Sequence, residues 1–247
     1  MKLYLIRHAE SANNAILSSG GSWTDRFSDP EITENGHQQA ALLGPHLASQ
    51  TAEPRQHPFA TNREPRFGIT HLYCSLMTRS ILTAEYISQA CGLPLQAHEN
   101  MFEKGGIYDV DENGVRTGLP APGRRYFEER FPDLRLPERL NDEGWYNRSA
   151  ETTDEFLDRM LGVVAEIRQR HEQSDDVVAL VVHGDFIDQF INVLMGSPRH
   201  AGNYGRIWYA NWVFNNTSIS RIDFVNGCHT VVYLNRIDHL PAELVTW

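Results

Sequence analysis

Long apolar runs, paired cysteines and an excess of positive charge are all missing from this 247-residue chain, and each absence closes off a class of protein. Its three cysteines, Cys74, Cys91 and Cys228, are odd in number and far apart. That argues against a disulfide framework and against a cysteine-based zinc site. No stretch approaches the roughly 20 apolar residues a membrane span needs. The opening Met1–His8 is apolar only until Arg7-His8 interrupts it, too short for the core of a signal peptide. A cytoplasmic protein with no membrane partner is therefore expected. The formal charge of −10 works against nucleic acid as a partner, since phosphate backbones need a basic face. Internal repeats and low-complexity tracts are also lacking. Eleven histidines are present but scattered, with no helical His-x-x-x-His pair, so a metal-dependent hydrolase is a poor reading and no metal ligands are expected.

What is there is ordinary globular composition, 41% hydrophobic and 22% charged, in a chain long enough to bury a core as one domain over 1–247. Lys2 to Ile6 and Ile69 to Cys74 read as buried strands, and Val177–Val182 as a central strand buried on both faces. Helical spacing of apolar residues marks Thr33 to Ala48, Thr78 to Cys91 before Gly92, and the segment behind a capping box at Thr152-Thr153-Asp154-Glu155. Another helix runs from Asp185 to Met195, closed by Gly196. Gln50 to Phe67, with Pro54, Pro58 and Pro65, reads as a loop. Asn226-Gly227 between two strand-like runs signals a type I′ hairpin. Residues 104–150 lose periodicity and form an insertion or cap on the core. The alternation implies an α/β three-layer sandwich, with a mostly parallel central sheet, an antiparallel edge and helices on both faces.

Three strands end on cations. Arg7-His8 follows the first, Ser75 and Arg79 follow the second, and His183-Gly184 follows the central one. Ligands in open α/β sheets bind beyond the carboxyl ends of the strands. Parallel placement would gather two arginines and two histidines around one crevice, with helix N-termini adding N–H donors. Such cations repel one another unless an anion belongs among them. A compact dianion, phosphate above all, suits the set.

These residues resemble the signature blocks of the histidine phosphatase superfamily, the phosphoglycerate-mutase-like proteins. Leu5-Ile6-Arg7-His8-Ala9-Glu10-Ser11 is similar to its Arg-His-Gly-Glu-Ser block. Ile32-Thr33-Glu34-Asn35-Gly36-His37-Gln38-Gln39-Ala40 is similar to its Leu-Thr-x-x-Gly-x-x-Gln-Ala block. Ser75 to Ala84 resembles the block of the second arginine, Val181-Val182-His183-Gly184 that of the second histidine, and Asn216-Thr217-Ser218-Ile219 the closing strand. All five occur in family order. Ala9 stands in place of the usual glycine and Leu76 where proline is common.

The resemblance implies the family's fold and a metal-independent phosphatase. His8 would attack phosphorus and become phosphohistidine, which water then hydrolyses. Arg7, Arg79 and His183 would hold the phosphoryl oxygens, with Asn14 and Gly184 binding substrate beside them. The neighbouring cations would keep His8 neutral. Glu103 matches the family's usual acid position and would protonate the leaving oxygen. Asp185 is its rival, because one branch uses an aspartate just after the second histidine. One or two arginines of the insertion, Arg124 and Arg125 foremost, would hold a second substrate anion.

Two other functions stay open on the sequence. Arg124-Arg125 faintly resembles the paired arginines of phosphoglycerate mutases, although Tyr126-Phe127-Glu128 departs from that pattern. A phosphoprotein-binding module with a dead site is the other, weakened by retention of all four core residues. The expected partner is a small phosphorylated substrate, and a homodimer through the edge hairpin is open.

Overall fold

The computed structural model describes residues 1–49, 67–196 and 211–247, so the Gln50 to Phe67 loop reading, Phe67 apart, lies outside the described residues. In chain order the strands are β1 (Lys2–Arg7), β2 (His71–Ser75), β3 (Leu95–His98), β4 (Tyr108–Val110), β5 (Arg116–Gly118), β6 (Val177–Val182), β7 (Ile219–Val225) and β8 (Cys228–Arg236). The α-helices are α1 (Ala12–Ser18), α2 (Glu34–Ala48), α3 (Thr78–Cys91), α4 (Arg124–Arg130), α5 (Thr153–His171) and α6 (Gly184–Leu194).

Six strands form one sheet in the order β3-β2-β6-β1-β7-β8. The first four run parallel, and β7 and β8 add the expected antiparallel edge. Because side chains alternate across a strand, the sheet sorts its residues onto two cores. Tyr4, Ile6, Leu72, Cys74, Ala179 and Val181 pack with Leu43 of α2 and Ile81 and Ile87 of α3. Leu3, Leu5, Val178, Leu180 and Val182 pack on the other face with Phe156 and Val163 of α5 and Phe186 and Phe190 of α6. β6 is wholly buried, as its unbroken Val/Ala/Leu run requires.

Local chemistry sets the boundaries. Thr152 and Glu155 form the capping box that starts α5. Gly92 ends α3 in the left-handed region at φ 67°. Asn226 and Gly227 take φ of 52° and 78°, the positive pair a type I′ turn needs.

The 104–150 stretch is more ordered than its sequence suggests. β4 and β5 form a small antiparallel hairpin, and Phe102, Ile107, Ala121 and Tyr146 pack beneath it with Met77. Beyond Gly123, α4 and the following turn drive Phe127, Phe131, Leu134 and Leu140 into the core shared with α2 and α3. That second half is part of the body of the molecule.

β1 and β6 are adjacent and parallel. The chain leaving β1 passes to α2 on one face, whereas the chain leaving β6 enters α6 on the other. Helices departing in opposite directions open a crevice beyond the two strand ends.

Candidate active site

The crevice is a cleft of about 390 Å³ whose walls include Arg7, His8, Asn14, Arg79, Glu103 and Gly184. His183 does not itself line the cleft, being wholly buried beside His8 with ring centroids 5.2 Å apart.

His8 is held in one tautomer. Its Nδ1 lies 2.7 Å from the Ala9 carbonyl, which can only accept, so Nδ1 carries the proton. Nε2 is then a lone pair, accepting from Arg79 Nε at 3.2 Å. Burial holds the His8 pKa well below the ordinary imidazole range, and the charges of Arg79 and Arg7 push it further down. The ring is neutral and its outward nitrogen is a nucleophile. Ala9 in place of glycine costs nothing visible: its methyl packs with Ile32 and Ala40.

Burial, with the charge of Arg79 adding to it, likewise holds the His183 pKa well below the ordinary imidazole range. Ser75 Oγ accepts from the Met77 N–H at 3.2 Å and lies 2.8 Å from His183 Nε2, so its hydroxyl proton is available to that nitrogen. Nδ1 then carries the proton, and this buried atom has no partner among the described residues. A buried donor left unpaired is costly, and an incoming oxygen would satisfy it.

The arginines are fixed from behind. Arg7 donates through one amino group to the Phe214 carbonyl, while its buried Nε has no partner among the described residues. Burial lowers the Arg7 pKa to about 10, with Glu103 opposing the shift and Arg79 adding to it, so the group stays charged at neutrality. Gly184 lies against this guanidinium; a Cβ there would sit 3.6 Å from Arg7 Nε. Arg79 faces Asp29 at 3.7 Å, and Asp29 also takes the Thr78 N–H and hydroxyl at the start of α3.

Several N–H groups at the helix starts are spent on carboxylates. Those of Thr78 in α3 go to Asp29, and those of Asp185 and Phe186 in α6 go to Glu103 at 3.2 and 3.1 Å. Both helices are capped by a carboxylate from another segment. Glu103 Oε1 also accepts from Lys104 N at 2.9 Å, leaving Oε2 with one long bond and room for a proton. Burial raises the Glu103 pKa to about 7, assisted by the charge of Asp185. Its loop is clamped by Arg159, which forms a buried, two-pronged pair with Glu151 and donates to the Asn100 and Phe102 carbonyls.

Asn14, which lines the cleft, spends its carbonyl oxygen on Ser11 and Asn216, and its amide N–H₂ has no partner among the described residues. Asn216 also donates to the His8 carbonyl at 3.1 Å. Beside it Thr217 adopts φ 56°, a strained conformation for a β-branched residue, and its N–H reaches the Arg7 carbonyl at 3.1 Å. The Thr33–Ala40 block supports the same loop. Thr33 and Gln39 bond to Glu10, and a Cβ on Gly36 would stand 2.3 Å from the Glu10 carbonyl.

Sequence reasoning missed Asp29, Ser75 as a partner of His183, the Arg159–Glu151 clamp, and Arg26. Arg124 and Arg125 are not among the cleft-lining residues: Arg124 donates to the Leu140 and Pro137 carbonyls, and Arg125 pairs with Glu129 on the surface. Arg26 and Arg116 line the cleft instead, their guanidinium carbons 4.1 and 4.9 Å from the centre of the Tyr108 ring. Neither meets a carboxylate at ion-pair distance among the described residues.

The model of the Histidine phosphatase superfamily (branch 1) matches residues 3–237. Among curated proteins, the probable phosphoglycerate mutase GpmB of Salmonella paratyphi B is 27% identical over 225 residues, covering 91% of this chain and 85% of its own. Among solved structures, the glucosyl-3-phosphoglycerate phosphatase of mycobacteria superposes with a TM-score of 0.57 at 17% identity, over 95% of this chain and 98% of that one. The phosphoserine phosphatase of Entamoeba histolytica, solved with phosphoserine, gives 0.58 at 18% identity, over 97% and 99%. These two likenesses show the fold.

Proposed function

The chain belongs to branch 1 of the histidine phosphatase superfamily, and on that premise we propose that it is a metal-independent phosphomonoesterase working through a phosphohistidine on His8. The observation that carries this reading is the buried, neutral His8, its Nε2 lone pair turned to Arg79 in a cleft walled by Arg7. A phosphoryl group displaces the Arg79–His8 hydrogen bond and takes Arg79 and Arg7 onto its oxygens, as guanidinium geometry favours. The free donors of Arg7 Nε, Asn14 and His183 Nδ1 complete its shell. In the first step the bond from Nε2 to phosphorus forms, the ester P–O bond breaks, and Glu103 Oε2 gives its proton to the leaving oxygen. In the second, water attacks phosphorus, Glu103 takes a proton back, and His8 leaves. Phosphoryl transfer asks mainly for positioning and positive charge, and these side chains supply both.

The substrate on this reading is a small phosphomonoester with a second anionic group, because Arg26 and Arg116 stand at the cleft as unpaired cations. Phosphatase is favoured over mutase by the fate of Arg124 and Arg125, both engaged away from the cleft.

The test is phosphate release from an aryl phosphate in strong chelator by wild type and His8→Ala. Turnover in wild type and a loss of roughly 10⁴-fold or more in the variant are expected, the scale for removing a covalent nucleophile. Phosphate moving within phosphoglycerate while free phosphate stays low would replace this reading with a mutase. Activity abolished by chelator would remove the metal-independent mechanism.

A further inference from the structure

The opposite end of the same sheet holds a second cluster of chemically capable side chains. His71 opens β2, His171 closes α5, and Asp176 immediately precedes β6. Their ligand atoms all lie within 4.8 Å of one another. His171 Nδ1 is 2.8 Å from one oxygen of Asp176, and His71 Nδ1 is 3.8 Å from the other. Since β2 and β6 run parallel, this cluster sits at the amino ends of the strands whose carboxyl ends deliver Ser75 and His183. Seven residue steps along β6 separate Asp176 from His183, on the order of 20 Å.

We propose that His71, His171 and Asp176 bind a zinc-type divalent cation. Two imidazoles and one carboxylate are the donor set of three-ligand zinc sites that keep a further position for water. Bonds of about 2.0–2.1 Å in tetrahedral array place donor atoms roughly 3.3 Å apart. The two histidines reach different oxygens of Asp176, at 2.8 and 3.8 Å, and all the ligand atoms lie within 4.8 Å, so closing on an ion asks for side-chain shifts of roughly 1 Å. His71 can make the larger one, because it is the first residue of its strand and partly exposed.

The surroundings are those of a supported ligand set. Tyr73 Oη lies 3.1 Å from His171 Nε2, so it can accept that N–H once Nδ1 turns to a metal. Ser174 Oγ donates to the His171 carbonyl and accepts from the Asp176 N–H, holding the turn that carries two of the ligands. Thr70 Oγ1 is 2.9 Å from His71 Nδ1 and can surrender that contact, since it also bonds to Val177. His171 is buried while His71 and Asp176 are partly open, which gives the ion both a fixed base and a route in. Bound there, the ion ties the end of α5 to the starts of β2 and β6. The site is remote from the phosphoryl crevice and rests on none of the catalytic assignments above.

The experiment uses the full chain, stripped with chelator and dialysed, titrated with zinc chloride in a non-coordinating buffer by calorimetry. One equivalent should bind, and a hundredfold excess of free zinc over Kd should raise the Tm by about 5–10 °C. His71→Ala and Asp176→Asn should each abolish both effects, and Tyr73→Phe should weaken binding about tenfold. Cobalt in place of zinc should give a visible absorption spectrum in wild type that is lost in Asp176→Asn. Absence of saturable binding by wild type would overturn the site, as would binding that survives unchanged in both ligand variants. Metal-free Tm values of the variants show whether they are folded, so loss of binding is read only against a cooperative melt.

Discussion

The floor of the crevice and its rim are built by different rules. On the floor each reacting group is held by the chain behind it: His8 by the Ala9 carbonyl, His183 by Ser75, Arg79 by Asp29, and Glu103 by three backbone N–H groups. On the rim Arg26 and Arg116 lean on the ring of Tyr108, with Arg26 also donating to the Tyr108 carbonyl, and Trp23 and Trp247 stand exposed. Floor residues come from strand ends that pack into both cores, whereas rim residues come from short excursions. Tightly determined groups suit a fixed reaction. Loosely determined ones suit a substrate that varies while the reaction stays the same. The difference also locates charge: in a chain of net −10, Arg26 and Arg116 bring positive charge to the wall of the cleft.

Breaking the floor should cost most and should do so on every substrate. Arg79→Ala removes the guanidinium at His8 Nε2, and a drop in kcat/KM of roughly 10³-fold is expected on aryl and alkyl phosphates alike, the scale for losing a charge-stabilising donor. A steady-state comparison of the two substrate classes checks it. Glu103→Gln should discriminate between them. A loss of about 10²-fold is expected on alkyl phosphates, whose leaving oxygen needs a proton, and less than tenfold on aryl phosphates.

The same residue sets a pH limit. Glu103 works as an acid in its protonated form, and burial lifts its pKa to about 7. The kcat/KM for alkyl phosphates should therefore fall as pH rises through about 7, and this alkaline limb should vanish in Glu103→Gln. His8 adds no limb in the neutral range, because its pKa lies well below the ordinary imidazole value. A pH profile of both proteins tests the pair of statements.

The floor was also the part most legible in the sequence. A short apolar run from Lys2 to Ile6 followed by Arg7-His8, a helix signalled from Thr78 and a β-branched run followed by His183 are strong local signals, so strand ends and their cations could be placed together. The partners behind them could not. Asp29 approaches Arg79 from a loop, and Ser75 meets His183 across 108 positions, with no periodicity to mark either contact. Glu103 was reached only through family resemblance. The rim was read least well: β4 and β5 have three residues each, too short for an alternation to show, and β3 hides behind Gly92-Leu93-Pro94. The arginine-rich stretch pointed to Arg124 and Arg125 by density of charge, but charge density does not say which side chains face inward.

Disturbing the rim should alter preference and spare chemistry. Arg26→Ala is expected to lower kcat/KM about tenfold for phosphomonoesters carrying a second anion, the lower end of what a charge-assisted hydrogen bond contributes. Turnover of an aryl phosphate should barely change, so the ratio of the two rates is the measurement. An equal loss on both would move Arg26 from the rim to the floor.

The smallest effect fixes where the rim ends. Arg124 gives its Nε to the Leu140 carbonyl and one amino group to the Pro137 carbonyl, so it braces the turn after α4. The Arg125 side chain is exposed and pairs with Glu129, an i,i+4 surface pair that contributes little. Arg124→Ala should therefore lower the Tm by a few degrees, about 1 kcal/mol in a chain of this size, and leave kcat/KM unchanged on every phosphate. Arg125→Ala should change neither. A selective loss on substrates with two anions in either variant would mean that α4 turns its arginines inward when substrate binds. The cleft would then hold two phosphates between its ends, and the balance would shift from hydrolysis towards transfer.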